Sequence, residues 1–391
     1  MTPVQLVIFD LDGTLLNTEQ LVAEVARSVV KRHGKTMTLE AIKAGSGRKP
    51  LDAWDKVIEE LGLEGVTAQQ LYDESEPSLR ARWHEAQLMP GAARLLWHLH
   101  SHHVMLALAT STSRDTLHRK LSGKDTEGIK PLFKAVNCGD DNQHGKPAPD
   151  CFKATARELD VPPAACLVFE DAPSGVEAAT AAGMRVIAVP SILDKSAYPQ
   201  PDLNRHSGCC EVLPSLLSFV PERYGLPAFT DHIHGTVPLT PPWRLKGTVV
   251  KGFGRGSKEL GIPTANLDAA SLQAALSETT TGIYCGWASI GASSAVYQMA
   301  MSVGWNPFYK NEKKTAEPWL LHTFPEDFYG EELRLMVCGF IRPEADFTTL
   351  DALIARIHED ANVTRAAMQH EKYAVMSKDA FLLETTPQTA S

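Results

Sequence analysis

The stretch VQLVIFDLDGT, residues 4–14, decides the fold of the first part of the chain. It opens as a continuous apolar run and ends in two carboxylates, Asp10 and Asp12, followed by glycine. Continuous apolar strands that alternate with helices are typical of a parallel sheet covered on both faces, so we predict an α/β domain. Further apolar runs, each followed by turn residues and a helical pattern, lie at residues 104–109, 166–169 and 186–189.

A helical insert, at about residues 17–88, separates the first two predicted strands. Its first helix carries Leu21, Val25 and Val29 on one face, and Gly34 follows as a stop signal. We interpret an insert of this size, placed directly after the first strand, as a cap domain.

The pattern changes after Val212. Residues 223–241 are rich in proline and turn signals, which indicates a linker between two domains. Short apolar runs without intervening helices then predict a six-stranded antiparallel barrel. The six runs are residues 247–250, 262–267, 282–290, 297–305, 319–324 and 333–341. Two amphipathic helices are expected near 349–361 and 364–377. The predicted domains are residues 1–222 and 242–380, with a C-terminal tail at 381–391.

Length and composition limit the class of protein. With 391 residues, 43% hydrophobic and 22% charged, the chain has the size and composition of a two-domain globular protein. The net charge of −9 argues against non-specific nucleic-acid binding, and no apolar run reaches the roughly 18–20 residues of a membrane helix. Residues 1–9 run straight into the first strand, so we expect no signal peptide. The seven scattered cysteines favour reduced thiols in a cytoplasmic protein.

Charged and polar residues follow the ends of the predicted strands, where an open α/β sheet places its site. In extended chain Asp10 and Asp12 point to the same side, so both carboxylates face one ligand. Burying two such charges is costly unless a cation compensates, and Mg²⁺ suits hard oxygen ligands. One charged strand end is more often a solvated terminus, whereas the ordered combination is a strong signal. The other members are Thr110, Lys146, Glu170 and Asp171.

The ordered motif DxDGT, Thr, Lys and Glu-Asp resembles the haloacid dehalogenase superfamily of phosphatases, in its β-phosphoglucomutase-like branch with a helical cap. The resemblance implies a Rossmann-like core. It implies that Asp10 is the nucleophile that forms an aspartyl-phosphate, and that Asp12 is the general acid and base, with its backbone carbonyl on the metal. In the cap, Arg48 and Lys49 occupy a glycine-loosened turn that either touches the substrate or is a plain solvent loop.

The same resemblance implies roles for the remaining strand-end residues. Thr110 would hydrogen-bond the transferring phosphoryl group, and Lys146 would offset its negative charge. Asp171, with Glu170 in support, would hold Mg²⁺ together with Asp10. A phosphate dianion repels a carboxylate nucleophile, and the metal and the lysine remove that repulsion.

A second stretch suited to phosphate is KGFGRGSKELGIPTANL, residues 251–267. It does not match the P-loop, in which Ser or Thr follows the lysine, because Ser257 precedes Lys258 here. It does not match the dinucleotide fingerprint either, because Ser257 occupies the position of the final glycine. Thr264 and Asn266 lie on one side of an extended segment and offer neutral oxygens to a Mg²⁺ ion. A glycine-rich hairpin without a ligand is the alternative interpretation. Accessible backbone N–H groups and positive charge come from Gly252, Gly254, Arg255, Gly256 and Lys258.

The segments GRGSKELGIPTANL, SVGWNPFYKNEKKTAEPWLLH, EDFYGEELRL and IRPE resemble the riboflavin kinase family over nearly the whole second domain. The resemblance implies a six-stranded barrel that transfers the γ-phosphate of ATP to the ribityl hydroxyl of riboflavin. The glycine-rich loop would hold ATP, and Thr264 and Asn266 would bind Mg²⁺ with the phosphates. Glu317 would be the general base, His322 would lie near the nucleotide, and Arg342 near the flavin. The flavin ring would be walled by aromatic side chains, unless these belong to the core: Trp305, Phe308 and Tyr309.

Together the two resemblances imply a plant-type bifunctional FMN hydrolase/riboflavin kinase family. One half would make FMN from riboflavin and ATP, and the other would return riboflavin and phosphate. Two alternatives stay open for the first half. It is either a phosphatase or phosphomutase for another small phosphomonoester, or an idle flavin-sensing module, against which the intact Asp10 and Asp12 argue.

Overall fold

The computed structural model describes residues 2–45, 50–190, 198, 208–251, 262–268, 272, 276, 280–305 and 314–384. The chain forms two compact units, Met1–Ala228 and Phe229–Ser391. Within the described ranges, no helix is long and apolar enough to cross a membrane.

A parallel sheet forms the centre of the first unit. The strands of this unit are β1 (Leu6–Phe9), β2 (Leu16–Asn17), β3 (Gln87–Leu88), β4 (Met105–Ala109), β5 (Ala135–Asn137), β6 (Cys166–Glu170), β7 (Arg185–Ala188) and β8 (Gly208–Val212). Six of them pair in the order β5-β4-β1-β6-β7-β8, and all neighbours run parallel. The central strands are buried along their whole length, which explains their continuous apolar runs. The predicted parallel α/β sheet is confirmed.

Helices surround this sheet and build the insert. They are α1 (Thr18–Arg32), α2 (Leu39–Gly45), α3 (Pro50–Leu61), α4 (Ala68–Arg82), α5 (Ala92–Ser101), α6 (Arg114–Lys120), α7 (Asp150–Glu158) and α8 (Pro173–Ala181). The first four lie between β2 and β3, which pair antiparallel at the root of the insert. Leu21, Val25 and Val29 share the buried core of the insert with Leu71. A short 3-10 turn, Trp83–Glu85, leads from α4 back to β3.

An antiparallel barrel forms the second unit. Its strands are β9 (Val237–Val250), β10 (Asn266–Leu267), β11 (Gly282–Ile290), β12 (Val296–Trp305), β13 (Lys314–Leu320) and β14 (Glu332–Arg342). They pair in the order β10-β9-β14-β11-β12-β13. The backbone N–H of Ala265 donates to the carbonyl of Pro318 at 2.9 Å and so brings the two ends of this sheet together. The predicted six-stranded antiparallel barrel is confirmed.

Three strands of the barrel differ from their predicted positions. β10 covers only Asn266–Leu267 of the run predicted at 262–267. β9 begins at Val237, inside the proline-rich segment that suggests a linker. The ladder between β9 and β14 shifts register between Val337 and Gly339, and this irregularity accommodates prolines, which have no N–H to donate. The strand expected at 319–324 lies at 314–320, because its polar residues concealed the first half of the apolar pattern.

Helices at the end of the chain pack against the barrel. They are α9 (Leu350–Met368), α10 (Glu371–Ala374) and α11 (Ala380–Leu383). α9 continues through the break predicted after residue 361 and buries Ala361, Thr364 and Ala367. Leu382 of α11 is fully buried in the same apolar cluster as Cys285 of β11.

Candidate active sites

The carboxyl ends of β1, β4 and β6 meet at one edge of the parallel sheet. Phe9 pairs with Leu108 on one side and with Phe169 on the other, so the three strands end level with one another. The backbone N–H of Asp10 donates to the carbonyl of Phe169 at 2.9 Å, which fixes the start of the loop after β1. This edge therefore gathers the residues predicted for the first site: Asp10, Asp12, Thr110, Lys146, Glu170 and Asp171.

Lys146 links the predicted nucleophile to a second carboxylate. Its Nζ lies 2.5 Å from Asp10 Oδ1, 2.7 Å from Glu170 Oε1 and 3.2 Å from the carbonyl oxygen of Ala109. An ammonium group has three N–H donors, so these acceptors use all of them. The three charged side chains are at most 9% exposed. Because an unpaired buried charge is strongly destabilising, the cluster depends on its lysine.

Burial sets the protonation of this cluster. Burial raises the pKa of Asp10 to about 7. The Glu170 and Asp12 carboxylates raise this pKa as well, and the Lys146 ammonium lowers it. Burial acts to lower the pKa of Lys146, but Asp10 and Glu170 outweigh it and raise this pKa above its ordinary value. A further cation beside Asp10 would favour the carboxylate, which is the form that attacks phosphorus.

Asp171 lies directly against the DxDGT turn. Its Oδ1 accepts a hydrogen bond from Thr14 Oγ1 at 3.2 Å, and its backbone carbonyl accepts one from the Tyr198 hydroxyl. Gly13 has a φ of +82°, and a Cβ at this position would lie 2.2 Å from Asp171 Oδ2. The turn thus needs glycine for its left-handed backbone and for the close approach of the carboxylate.

The donor set at this edge fits a hard divalent cation. Among the described residues, this edge holds three buried carboxylates, from Asp10, Glu170 and Asp171, and Lys146 pairs with only the first two, so negative charge is in excess. Carboxylate and carbonyl oxygens are the ligands that such cations prefer. Both oxygens of Glu170 are already engaged, by Lys146 and by the backbone N–H of Ala172 at 2.8 Å. Asp10 and Asp171 are therefore the better placed ligands.

Asp12 stands on the other side of the turn with partners of its own. Lys120 Nζ lies 2.6 Å from its Oδ1, and Thr112 Oγ1 donates to its Oδ2 at 2.6 Å. Burial acts to raise the pKa of Asp12, but Lys120 and Thr112 outweigh it, so this pKa lies below its ordinary value. The side chain is still 31% exposed, so it remains within reach of a ligand. The Thr110 oxygen accepts from the backbone N–H of Thr112 at 3.0 Å, which leaves the hydroxyl proton for another acceptor.

In the barrel, the predicted general base and the predicted flavin contact share one row of the sheet. Glu317 of β13 pairs with Ser302 of β12, Ser302 with Ile283 of β11, and Ile283 with Arg342 of β14. Residues directly opposite one another in antiparallel strands place their side chains on the same face. With strands roughly 4.8 Å apart, three steps put the two ends of this row about 14 Å from each other. Such a separation suits a long substrate whose two ends are recognised by different residues.

The predicted metal ligands of the barrel lie beside Glu317. Asn266 of β10 pairs with Val250 of β9, and the Ala265–Pro318 hydrogen bond fixes this segment against β13. Thr264 and Asn266, one residue on either side of Ala265, are both half-buried. The structure therefore brings Thr264, Asn266 and Glu317 to one end of the barrel.

Arg342 is held by a buried carboxylate on α9. Its Nη2 lies 2.7 Å from Asp360 Oδ2 and its Nε lies 3.0 Å from Asp360 Oδ1, a bidentate pair. The two side chains are 12% and 3% exposed. A guanidinium group gripped in this way has a fixed orientation. Its Nη1 donates one N–H to the Pro343 carbonyl at 3.0 Å and has a second N–H.

The structure describes only some of the remaining residues predicted for the second site. His322 is exposed, and its ring is tilted against that of Tyr297 and meets that of Phe324 edge-on, with ring centroids 4.8 Å apart in both pairs. Trp305 is half-buried, and Lys314 Nζ lies 5.1 Å from its ring centroid. Several predicted residues lie outside the described residues: Arg48, Lys49, Gly252, Gly254, Arg255, Gly256, Lys258, Phe308 and Tyr309.

Sequence reasoning missed several residues of the first site. Lys120 and Thr112 hold the Asp12 carboxylate, and Thr14 and Tyr198 hold Asp171. Thr112 offered a weak signal, since it follows Thr110 by two residues after a strand. Lys120 offered none, because it ends the charged helix RDTLHRK, where a lysine is ordinarily solvated.

Comparisons with known proteins match both units. The family models that match are haloacid dehalogenase-like hydrolase, over residues 7–189, and riboflavin kinase, over residues 239–368. A bifunctional riboflavin kinase/FMN phosphatase from Arabidopsis thaliana is 43% identical over 377 residues, covering 96% of this chain and 96% of that protein. The riboflavin kinase of Homo sapiens is 45% identical over 140 residues, covering 36% of this chain and 90% of that protein. The (DL)-glycerol-3-phosphatase 1 of Arabidopsis thaliana is 41% identical over 232 residues, covering 58% of this chain and 74% of that protein.

Proposed function

The chain belongs to the family of bifunctional riboflavin kinase/FMN phosphatases, and on that premise we propose how its residues perform the two reactions. The expected resemblance to both parent families is confirmed. The protein carries a haloacid dehalogenase-like phosphatase that hydrolyses FMN and a riboflavin kinase that makes FMN from riboflavin and ATP. The observation that carries the proposal is the buried Asp10–Lys146–Glu170 cluster beside Asp171, with the Glu317–Arg342 row in the second unit.

In the phosphatase, Asp10 is the nucleophile. Its carboxylate attacks the phosphorus of FMN, the bond from phosphorus to the ribityl oxygen breaks, and an aspartyl-phosphate forms. The protonated form of Asp12, a minor form because Lys120 and Thr112 lower its pKa, gives its proton to the departing alkoxide, and riboflavin leaves. Asp12 then takes a proton from a water molecule that attacks the aspartyl-phosphate, which releases phosphate and restores Asp10. Thr110 and Lys146 donate hydrogen bonds to the transferring phosphoryl oxygens.

A divalent metal ion belongs to this site, and we propose that it is Mg²⁺. Asp10, Asp171 and the backbone carbonyl of Asp12 would hold it, while Glu170 keeps Lys146 in place. When bound, the ion supplies positive charge that offsets the repulsion between the phosphate dianion and the nucleophile. Gly13 supports this site because its missing side chain leaves room for Asp171.

In the kinase, Glu317 is the general base. It takes the proton of the terminal ribityl hydroxyl, whose oxygen attacks the γ-phosphorus of ATP, and ADP leaves. Arg342 stands at the other end of the row, where the flavin ring of such a substrate would lie. Thr264 and Asn266 would bind Mg²⁺ with the ATP phosphates, and His322 would lie near the nucleotide. By family resemblance, the ATP contacts come from Gly252, Gly254, Arg255, Gly256 and Lys258.

The experiment is a crossed assay of two variants, Asp10→Asn and Glu317→Gln. Purified protein is given FMN and Mg²⁺ without ATP, and riboflavin is followed by chromatography; riboflavin and ATP are supplied in the reverse assay. We expect Asp10→Asn to abolish only the hydrolysis, because the amide cannot attack phosphorus, and Glu317→Gln to lower only the kinase rate, by about 100-fold. Loss of both activities in either variant would contradict the assignment of each reaction to its own residue.

One alternative for the first unit has a specific observation behind it. The similarity to a (DL)-glycerol-3-phosphatase extends over 232 residues, so the unit would then act on a smaller phosphomonoester. Glycerol 3-phosphate assayed beside FMN decides between the two substrates by their kcat/KM values. Tight binding of FMN without any turnover would instead favour the idle flavin-sensing module.

A further inference from the structure

The Asp12 carboxylate is engaged at both oxygens by residues that the mechanism above does not use. Lys120 Nζ donates to its Oδ1, and the Thr112 hydroxyl donates to its Oδ2, both at 2.6 Å. Lys120 also donates to Thr112 Oγ1 at 3.0 Å. Since a lysine ammonium has no acceptor, the Thr112 oxygen receives from Lys120 and its own proton goes to Asp12. Lys120, Thr112 and Asp12 are therefore joined pairwise by three hydrogen bonds, which fix the orientation of the Asp12 carboxylate.

Lys120 is itself fixed from behind. Lys120 is 4% exposed, and its Nζ lies 4.4 Å from the ring centroid of Trp83. The ammonium therefore faces Asp12, Thr112 and the ring of Trp83, which accounts for its three N–H groups. The backbone holds this arrangement as well, because the Thr126 hydroxyl donates to the Lys120 carbonyl at 2.9 Å.

Trp83 belongs to the insert, and burying its indole N–H there is unfavourable. It is 6% exposed and packs in the same core as Leu71 and Leu79 of α4. Its indole Nε1 is buried and has no hydrogen-bond partner among the described residues. A buried N–H without a partner is unfavourable, so packing and the ammonium on its face are the interactions that favour this position. A Cβ at Gly123, just after α6, would lie 2.1 Å from the His84 carbonyl oxygen, so the insert and the Lys120 helix touch backbone to backbone here.

From this geometry we propose that Lys120 is a positioning residue for Asp12. Trp83, a residue of the insert, in turn positions the ammonium group of Lys120. The inference rests on the proposed function, because it takes Asp12 as the acid and base of the phosphatase. Lys120 holds the Asp12 carboxyl group, which gives a proton to the departing alkoxide when it is protonated and, as the carboxylate, later accepts one from water. The insert is thereby tied to proton transfer, whereas Lys146 pairs with the nucleophile.

The proposal is tested by substrates that differ in their need for an acid. An alkyl phosphate such as FMN leaves as an alkoxide and needs a proton, whereas p-nitrophenyl phosphate and acetyl phosphate leave as stabilised anions and need none. We expect Lys120→Met to lower kcat/KM for FMN about 10- to 100-fold and to change that for the activated phosphates by less than about threefold. Asp12→Asn supplies the reference pattern. Lys124→Met, an exposed lysine one turn further on, is the matched control that should leave every rate unchanged.

A second pair of variants tests the link through the insert. Trp83→Phe keeps an aromatic face and removes the unpaired N–H, so the selective loss on FMN should be small. Trp83→Leu removes the face, so it should reproduce the pattern of Lys120→Met. The kcat/KM for the activated phosphates reports the steps up to departure of the leaving group, before the base step that all substrates share. An unchanged value in each variant shows that Asp10, Lys146 and the fold around them are intact.

The outcomes separate the two levels of the argument. If the wild-type protein does not hydrolyse FMN, or if Asp12→Asn affects FMN and the activated phosphates equally, the proposed function is wrong at this site. If Asp12→Asn is selective and Lys120→Met is not, the function stands and the positioning role is overturned. Equal loss in Trp83→Phe and Trp83→Leu overturns the role of the ring face, and an equal loss on all substrates in Lys120→Met marks a purely structural residue.

Discussion

Each of the two aspartates of the DxDGT motif has its own buried lysine. Lys146 pairs with Asp10 and Glu170, and Lys120 pairs with Asp12. A carboxylate two residues from another would otherwise repel it and lose its charge on burial. Separate cations let the two carboxyl groups keep separate tasks, one as nucleophile and one as acid and base.

The close contact between Gly13 and Asp171 predicts the effect of a single methyl group. We expect Gly13→Ala to lower FMN hydrolysis by about 10- to 100-fold and to raise the Mg²⁺ concentration needed for half-maximal activity, because Cβ would displace a metal ligand. A titration of phosphatase activity with Mg²⁺ measures both effects.

The control for this variant is Gly34→Ala. Gly34 has a similarly positive φ, +74°, but nothing lies within 4 Å of its missing Cβ. It should cost about 1 kcal/mol of stability through backbone strain and leave the Mg²⁺ requirement unchanged. An unchanged Mg²⁺ requirement in Gly13→Ala would contradict the assignment of Asp171 as a ligand.

At the level of secondary structure, the two sites use different rules of β-sheet geometry. In the first unit, parallel strands end level with one another, so the loops after β1, β4 and β6 meet at one edge. In the second unit, antiparallel strands align Glu317 and Arg342 across four strands on one face. The helix α9 then completes the row, because it delivers Asp360 to Arg342.

The pairing of α9 with β14 predicts the behaviour of Asp360→Asn. Because the amide cannot grip the guanidinium with two acceptors, we expect the KM for riboflavin to rise about tenfold while kcat changes little. Steady-state kinase assays measure this separation. Glu359→Gln on the same helix, with a side chain 60% exposed, is the matched control and should be silent. A fall in kcat at unchanged KM would argue against a flavin-binding role for Arg342.

At the scale of the whole molecule, much of the plan was predictable from local patterns. Apolar strands followed by Asp10, Thr110 and Glu170 predict a parallel sheet and a site at its edge, because strand ends are set by short-range sequence. Lys146 lies in a loop after β5 and was recognised from the ordered motif instead. The partnership of Lys120 with Asp12 was not predictable, since it joins residues 108 positions apart through a helix that looks solvated. The start of β9 was missed for a different reason. Prolines normally end a strand, but here an irregularity in the register between β9 and β14 accommodates them.

The two units run opposite reactions, so the protein supplied with riboflavin, ATP and Mg²⁺ should cycle. FMN made at the kinase site is hydrolysed at the phosphatase site and becomes substrate again, at the cost of one ATP per turn. The amount of ADP formed should therefore keep rising after FMN has reached a steady level. Asp10→Asn blocks the return reaction and should stop this excess.

The most direct measurement is the amount of ADP formed per FMN present, followed over time in the wild-type protein and in Asp10→Asn. We expect the ratio to climb steadily in the wild type, whereas ADP and FMN stay equal in the variant. Equal amounts in the wild type would contradict the presence of an FMN phosphatase in this chain. A ratio that climbs equally in both proteins would show that ATP is lost by a route that does not pass through Asp10.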